Sequence, residues 1–307
     1  MQELERFDRI GTEPHRSYYI PFSPEDEIQT FHGIVDRTSS SRFRSLDGLW
    51  QIREHAHAED FCIDEPLDRT IPIPSCVQMH GMDQIQYINT RYPFPILLPH
   101  IAYENPSWHY RRSFSLDKQP GERYYLNFEG VDSAFFLYVN GIRKGYSQIS
   151  HATSEFDVTD LLLDGENVID VLVVKWCISS YLECQDKFRF SGIFREVYLL
   201  LRDPVHLTDL YTRALPSDDF KTATLTAELT ANGRADAEYC LVDPRGRELT
   251  SGAFTLDGTA TLTLDIDAPM LWSDEAPDLY ELYLKVGDEH IRQEIGVRRF
   301  EVRGKVV

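Results

Sequence analysis

The chain has 307 residues, 42% hydrophobic and 12% aromatic, enough for two domains with sizeable cores and too apolar for a disordered segment. Its 31 basic and 50 acidic residues leave a net charge of −19, which argues against nucleic acid or an anionic membrane surface as partner. No apolar run approaches the roughly 20 residues that span a bilayer, and the start lacks a basic, then apolar, secretory signal, so the expectation is a soluble cytoplasmic protein.

Residues 1–40 read as an extended arm punctuated by Pro14, Pro21 and Pro24, with the aromatic run Tyr18-Tyr-Ile-Pro-Phe expected to dock. Ser45-Leu-Asp-Gly-Leu-Trp then opens a strand. His55 and His57 alternate at strand spacing with no further ligand obvious nearby, so they are expected on an exposed polar face rather than at a metal. Ile71-Pro-Ile-Pro suits an edge strand. The stretch from Ser75 to Phe94 is rich in Asn, Gln and Tyr, groups suited to recognising hydroxyls, although an ordinary long connection would look the same.

From Trp108 the strands are plain, and Asn140-Gly141 marks a hairpin tip. Val168-Ile-Asp-Val-Leu-Val-Val is apolar almost throughout, as a strand buried on both faces would be. In residues 181–196, Glu183, Asp186 and Arg189 sit among aromatics, which reads as a ligand site or a buried ion pair of Asp186 with Arg189 or Arg195. After Asp203-Pro204 the texture changes to Thr/Ala/Leu alternation. Six or seven short alternating strands are predicted in about 100 residues, among them 223–229, 237–243, 260–266, 279–286 and 290–297, a count that fits an immunoglobulin-like sandwich. Domains are therefore expected at 1–40 (arm), 41–203 and 204–307. The reading is all-β: a jelly-roll sandwich followed by an immunoglobulin-like sandwich. Five cysteines without close spacing predict free, mostly buried thiols. No nucleophile elbow, Walker loop or dinucleotide loop is present, so the residues alone describe a polyhydroxyl-binding sandwich with a spacer behind it.

Several runs resemble the N-terminal part of glycoside hydrolase family 2 β-galactosidases. They include Pro74-Ser-Cys-Val-Gln-Met-His-Gly, Tyr87-Ile-Asn-Thr-Arg-Tyr-Pro-Phe, Phe128-Glu-Gly-Val-Asp-Ser-Ala-Phe, Gln185-Asp-Lys-Phe-Arg-Phe-Ser-Gly-Ile-Phe-Arg-Glu-Val and Ile295-Gly-Val-Arg-Arg-Phe. The resemblance implies a galactose-binding-like jelly roll, an immunoglobulin-like domain, and a following (β/α)8 barrel that carries both catalytic glutamates and is missing from this chain, so that the chain alone is expected to be inactive. It further implies that Asn89 hydrogen-bonds the substrate sugar, and that Asp186 binds galactosyl hydroxyls and helps hold a sodium ion. Thr90, Cys184 and Phe188 depart from the residues usual at those positions. Sodium and magnesium are expected for the full enzyme, with no magnesium ligand matched here. The expected partners are a galactoside, the barrel, and other copies in a homo-oligomer. A β-glucuronidase or β-mannosidase, or a free-standing carbohydrate-binding module, remain the alternatives. The end of the chain reads as mid-strand, which weighs against the last of these.

Overall fold

The computed structural model describes residues 8–31, 34–87, 92, 94–183, 186–302 and 304. Two compact units form, one from Met1–His15 with Arg44–Leu201 and the other from Arg16–Phe43 with Arg202–Val307. Among the described residues the α-helix is confined to Ser180–Glu183, so they form no (β/α)8 barrel, and no helix is long and apolar enough to cross a membrane.

The first unit is a sandwich. Its antiparallel seven-stranded sheet runs Arg9–Ile10, Ile142–Ser147, Ala134–Val139, Gly165–Val174, Ser107–Leu116, Gly48–His55 and Arg69–Ile73. The second sheet orders Ser154–Asp157, Arg123–Phe128, Val197–Arg202 and Phe43–Ser45. Alternation sends Trp50, Ile52, Tyr110, Leu137, Val171 and Val173 into the space between the sheets, where they meet Leu126, Phe128, Phe156 and Leu199. The opposite face of the large sheet is also covered: Phe136, Tyr146, Leu172 and Val174 pack with Ala58 and Cys177. This double burial explains the apolar run at 171–174.

In the second unit Thr222–Val242 and Glu248–Asp267 form one long antiparallel hairpin. Leu207–Pro216 pairs with the early part of the first of these strands, and Tyr280–Val286 with its later part. The two strands predicted at 223–229 and 237–243 are one, because the polar Asn232-Gly233 break is a bulge where the register shifts between Thr230 and Arg234. The turn at Asp243-Pro-Arg-Gly is present, with Gly246 at φ +79°. Tyr19 and Phe22 of the arm are buried in this unit. Tyr19 Oη donates to the Leu207 carbonyl at 2.5 Å, and Phe22 exchanges two 2.8 Å backbone hydrogen bonds with His290. Nearby, the buried Arg202 guanidinium makes an ion pair of 2.8 Å with Glu289.

Candidate sugar-facing site

Two stretches almost a hundred residues apart meet in the first unit. Gln86–Tyr87 and Phe188–Arg189 form a two-stranded antiparallel ribbon in which Tyr87 lies opposite Phe188 and Gln86 opposite Arg189. Their alternation divides the ribbon. Tyr87 and Phe188 are 53% and 60% exposed, with ring centroids 5.6 Å apart, whereas Arg189 is buried. Asp186, also exposed, accepts a hydrogen bond from Tyr87 Oη. One face therefore offers a carboxylate flanked by two aromatic rings, the combination of a few fixed polar groups and flat apolar surface that a sugar ring needs.

The buried face is a brace. Arg189 Nη2 lies 2.9 Å from Asp132 Oδ1, donates to Ser133 Oγ, and has its guanidinium 5.6 Å from the Trp176 ring. The ion pair considered for Asp186 with Arg189 is thus made by Asp132 instead, because strand alternation turns Arg189 inward while Asp186 stays outside. Arg195 donates to the His151 carbonyl at 3.2 Å. Lys187 Nζ completes the cluster, 3.7 Å from Asp132 Oδ2 and 3.3 Å from His151 Nε2. Burial, and then the Lys187 ammonium, push His151 below the ordinary imidazole value.

Further contacts hold the ribbon to the sandwich. The Ser75 and Val77 amides donate to the carbonyls of Ile193 and Ser191 at 2.8 and 3.0 Å, and Ser191 N donates to Gln78 Oε1 at 2.9 Å. Gly192, at φ +115°, lies opposite Asp132; a Cβ there would meet Tyr110 Oη at 2.7 Å, so only glycine fits this approach. Tyr92, Phe94, Tyr181 and Trp176 form an aromatic cluster with centroid distances of 5.2–5.6 Å between its closest pairs, and Tyr181 Oη donates to the His100 carbonyl at 2.6 Å. Glu183 is turned inward to accept from Ser150 Oγ at 2.6 Å, a structural role.

Asn89 lies outside the described residues, as do Thr90 and Cys184. Sequence reasoning passes over Asp132 and Lys175, although each carries a signal. Asp132 stands among apolar neighbours in Val-Asp-Ser-Ala-Phe, and Lys175 ends an apolar strand, where its ammonium is buried 2.6 Å from Asp83. His55 also departs from expectation. It is buried, bonded 2.8 Å from Glu65, because residues 61–66 cover that part of the sheet. The thiols are free among the described residues, but only Cys177 is buried; Cys62 is exposed and Cys76 and Cys240 are half-buried, so a mostly buried set does not hold.

Comparison with known proteins identifies the architecture. Residues 43–204 match the domain described as "Glycosyl hydrolases family 2, sugar binding domain", and residues 205–298 match "Glycosyl hydrolases family 2". A β-galactosidase of Staphylococcus xylosus is 37% identical over 294 residues, covering 94% of this chain and 29% of that protein. One of Actinobacillus pleuropneumoniae is 38% identical over 302 residues, covering 97% and 29%. The chain thus spans less than a third of the length of these relatives. Among solved structures, a β-glucuronidase of an uncultured Clostridium sp. superimposes with a TM-score of 0.65 at 18% identity, over 85% of this chain and 45% of that one, a likeness of fold. With a sugar-binding sandwich followed by the family's second β-domain, the chain belongs to glycosyl hydrolase family 2.

Proposed function

We propose that the chain is the N-terminal, non-catalytic portion of a β-galactosidase that hydrolyses terminal β-D-galactosyl residues of lactose-like substrates by a retaining mechanism. In this reading the chain supplies one wall of the galactose pocket through Asp186 and Asn89. The observation that carries it is the exposed Asp186 carboxylate, oriented by Tyr87 and flanked by Phe188, on a ribbon anchored by a buried ion pair. A carboxylate in that position accepts hydrogen bonds from neutral hydroxyls and repels a uronate, which favours a galactoside over a glucuronide. The identities of 37% and 38% to proteins named β-galactosidase support the same choice.

Both catalytic glutamates would come from a barrel following residue 307, so the chain alone is inactive. The exposed Ile96, Leu97, Leu98 and Leu182 give an apolar surface of the kind that such a partner covers. Asp186 is a hard anionic oxygen donor and fits a sodium ion as one ligand of several, the others lying in the barrel. Bound there, sodium would hold the carboxylate's charge beside the sugar hydroxyls. Magnesium is assigned to no residue here. The complete protein would work in the cytoplasm, as a homo-oligomer.

The test has two arms. The 307-residue chain is expected to leave a chromogenic β-galactoside intact, and turnover by it overturns the non-catalytic reading. In the complete enzyme, chromogenic β-galactoside should be cleaved and β-glucuronide spared; the reverse preference overturns the galactoside assignment.

A further inference from the structure

A second cluster of chemically able side chains lies in the sandwich, on the face of the seven-stranded sheet away from the inter-sheet core. His109, Arg111 and Asp170 stand on adjacent strands, Arg111 directly opposite Asp170, while Arg53 faces His109 across the other ladder. Glu65 arrives from the loop that covers this face. Arg53 Nη1 holds that loop by the Pro66 carbonyl at 2.7 Å, and Arg111 holds it by the carbonyls of Ile63 and Glu65. The Phe61 ring lies edge-on to His109, with centroids 4.8 Å apart. His109 is 0% exposed and His55 8%.

Glu65 Oε1 lies 2.8 Å from His55 Nε2 and 2.8 Å from His109 Nδ1, and these ligand-type atoms lie within 4.8 Å of one another. On the far side of the ring, His109 Nε2 is 2.7 Å from Asp170 Oδ1, which also accepts from Arg111 Nε at 2.6 Å. Both nitrogens of His109 therefore face carboxylate oxygens. A neutral imidazole carries one N–H, so one of these contacts sets a nitrogen lone pair against an oxygen lone pair. A second proton or a metal ion removes the conflict. With Nε2–H donating to Asp170 Oδ1, the Nδ1 lone pair points at the space shared by His55 and Glu65.

From this convergence we infer that His55, Glu65 and His109 form a zinc site. Two imidazole nitrogens and one carboxylate oxygen make the donor set of a three-ligand zinc centre with an open fourth position. Magnesium and calcium, which call for about six oxygens, do not suit it. Asp170 is the outer carboxylate that fixes the tautomer of a ligating histidine. Ligand atoms around a tetrahedral zinc stand about 3.3–3.5 Å apart, so each histidine would withdraw from Glu65 by about half an ångström while the two imidazole nitrogens, now within 4.8 Å of each other, close to the same spacing. The ion would clamp the 61–66 loop onto the sheet.

The test is zinc binding by the intact 307-residue chain. After equilibration with zinc and dialysis, elemental analysis should find one ion per chain, and zinc-edge X-ray absorption should find a nitrogen/oxygen shell with two imidazoles. In Glu65→Gln and His55→Gln the ion should be lost, while Asp170→Asn should weaken binding about 10–100-fold without abolishing it. A folded chain that holds no stoichiometric zinc overturns the inference and leaves the cluster as a doubly protonated histidine between two acids. A sulfur-containing shell, or binding unchanged in folded Glu65→Gln and His55→Gln, overturns it equally. The absorption measurement uses the unmodified protein, so it decides for or against the site even where a variant fails to fold.

Discussion

The two faces of the Gln86–Tyr87 and Phe188–Arg189 ribbon carry opposite charges in opposite surroundings. Arg189 is buried against Asp132 and Trp176, and its charge is neutralised within the fold. Asp186, three residues earlier, is exposed beside Tyr87 and Phe188, where a ligand can reach it. Charge among aromatics thus has two meanings here, decided by which face alternation assigns. The inward group makes the fold, and the outward group is exposed on its surface.

Substitutions can separate these roles. Arg189→Met should have the largest effect, about 3–5 kcal/mol of lost stability, since it removes the buried cation 2.9 Å from Asp132 and leaves only Lys187, at 3.7 Å, to face that carboxylate. Urea unfolding of the chain measures this, and a loss under about 1 kcal/mol would remove Arg189 from the brace. Asp186→Asn should reverse the pattern. Its stability should stay within about 0.5 kcal/mol of the parent, while in the complete enzyme KM for galactosides rises about tenfold or more and sodium dependence weakens. Unchanged kinetics would assign Asp186 no part in recognition.

Tyr181→Phe should fall between these two in its cost to stability. It deletes the hydrogen bond to the His100 carbonyl while keeping the ring cluster, and should cost about 0.5–1.5 kcal/mol in the same unfolding experiment. A loss beyond about 3 kcal/mol would mean that the hydroxyl does more than anchor a loop. The smallest effect concerns His151, which faces Lys187, Asp132, Glu183 and Arg195. Its native imidazole resists protonation, whereas the unfolded one titrates at the ordinary 6.5. The stability it contributes is therefore complete above pH 6.5 and declines as the pH falls toward the lower native value. His151→Gln should flatten that acid-side decline, and an identical pH profile would exclude the histidine as its source.

Most of the architecture is legible in the sequence because strand period and turn chemistry are local. Asn140-Gly141, the apolar 171–174 run and the Asp243 turn each take the form that their residues dictate. The long hairpin strand reads as two because Asn232-Gly233 looks like a stop, and only the partner strand shows that the ladder resumes. Partnership across the fold is beyond reach for the same reason. Nothing in the spacing of Arg189 selects Asp132 over Asp186, and His55 gives no sign that Glu65 and His109 close over it. Asp186 itself stands out through a resemblance, and its ribbon neighbour Tyr87 comes from a separate motif that periodicity alone would not join to it.

The arm's docking has a consequence for synthesis. Tyr19 is made early, yet the Leu207 carbonyl that accepts its hydrogen bond is 188 residues further along. At typical translation rates of about 5–20 residues per second, the nascent chain carries the aromatic run for roughly 10–40 s before that partner exists. The second unit's long hairpin, by contrast, closes around a short turn and can pair as soon as its own residues emerge. The arm's other anchor, the Phe22 exchange with His290, waits longer still, so the arm completes its docking only after the hairpin has been made, and the order of assembly of that unit runs against the order of its sequence.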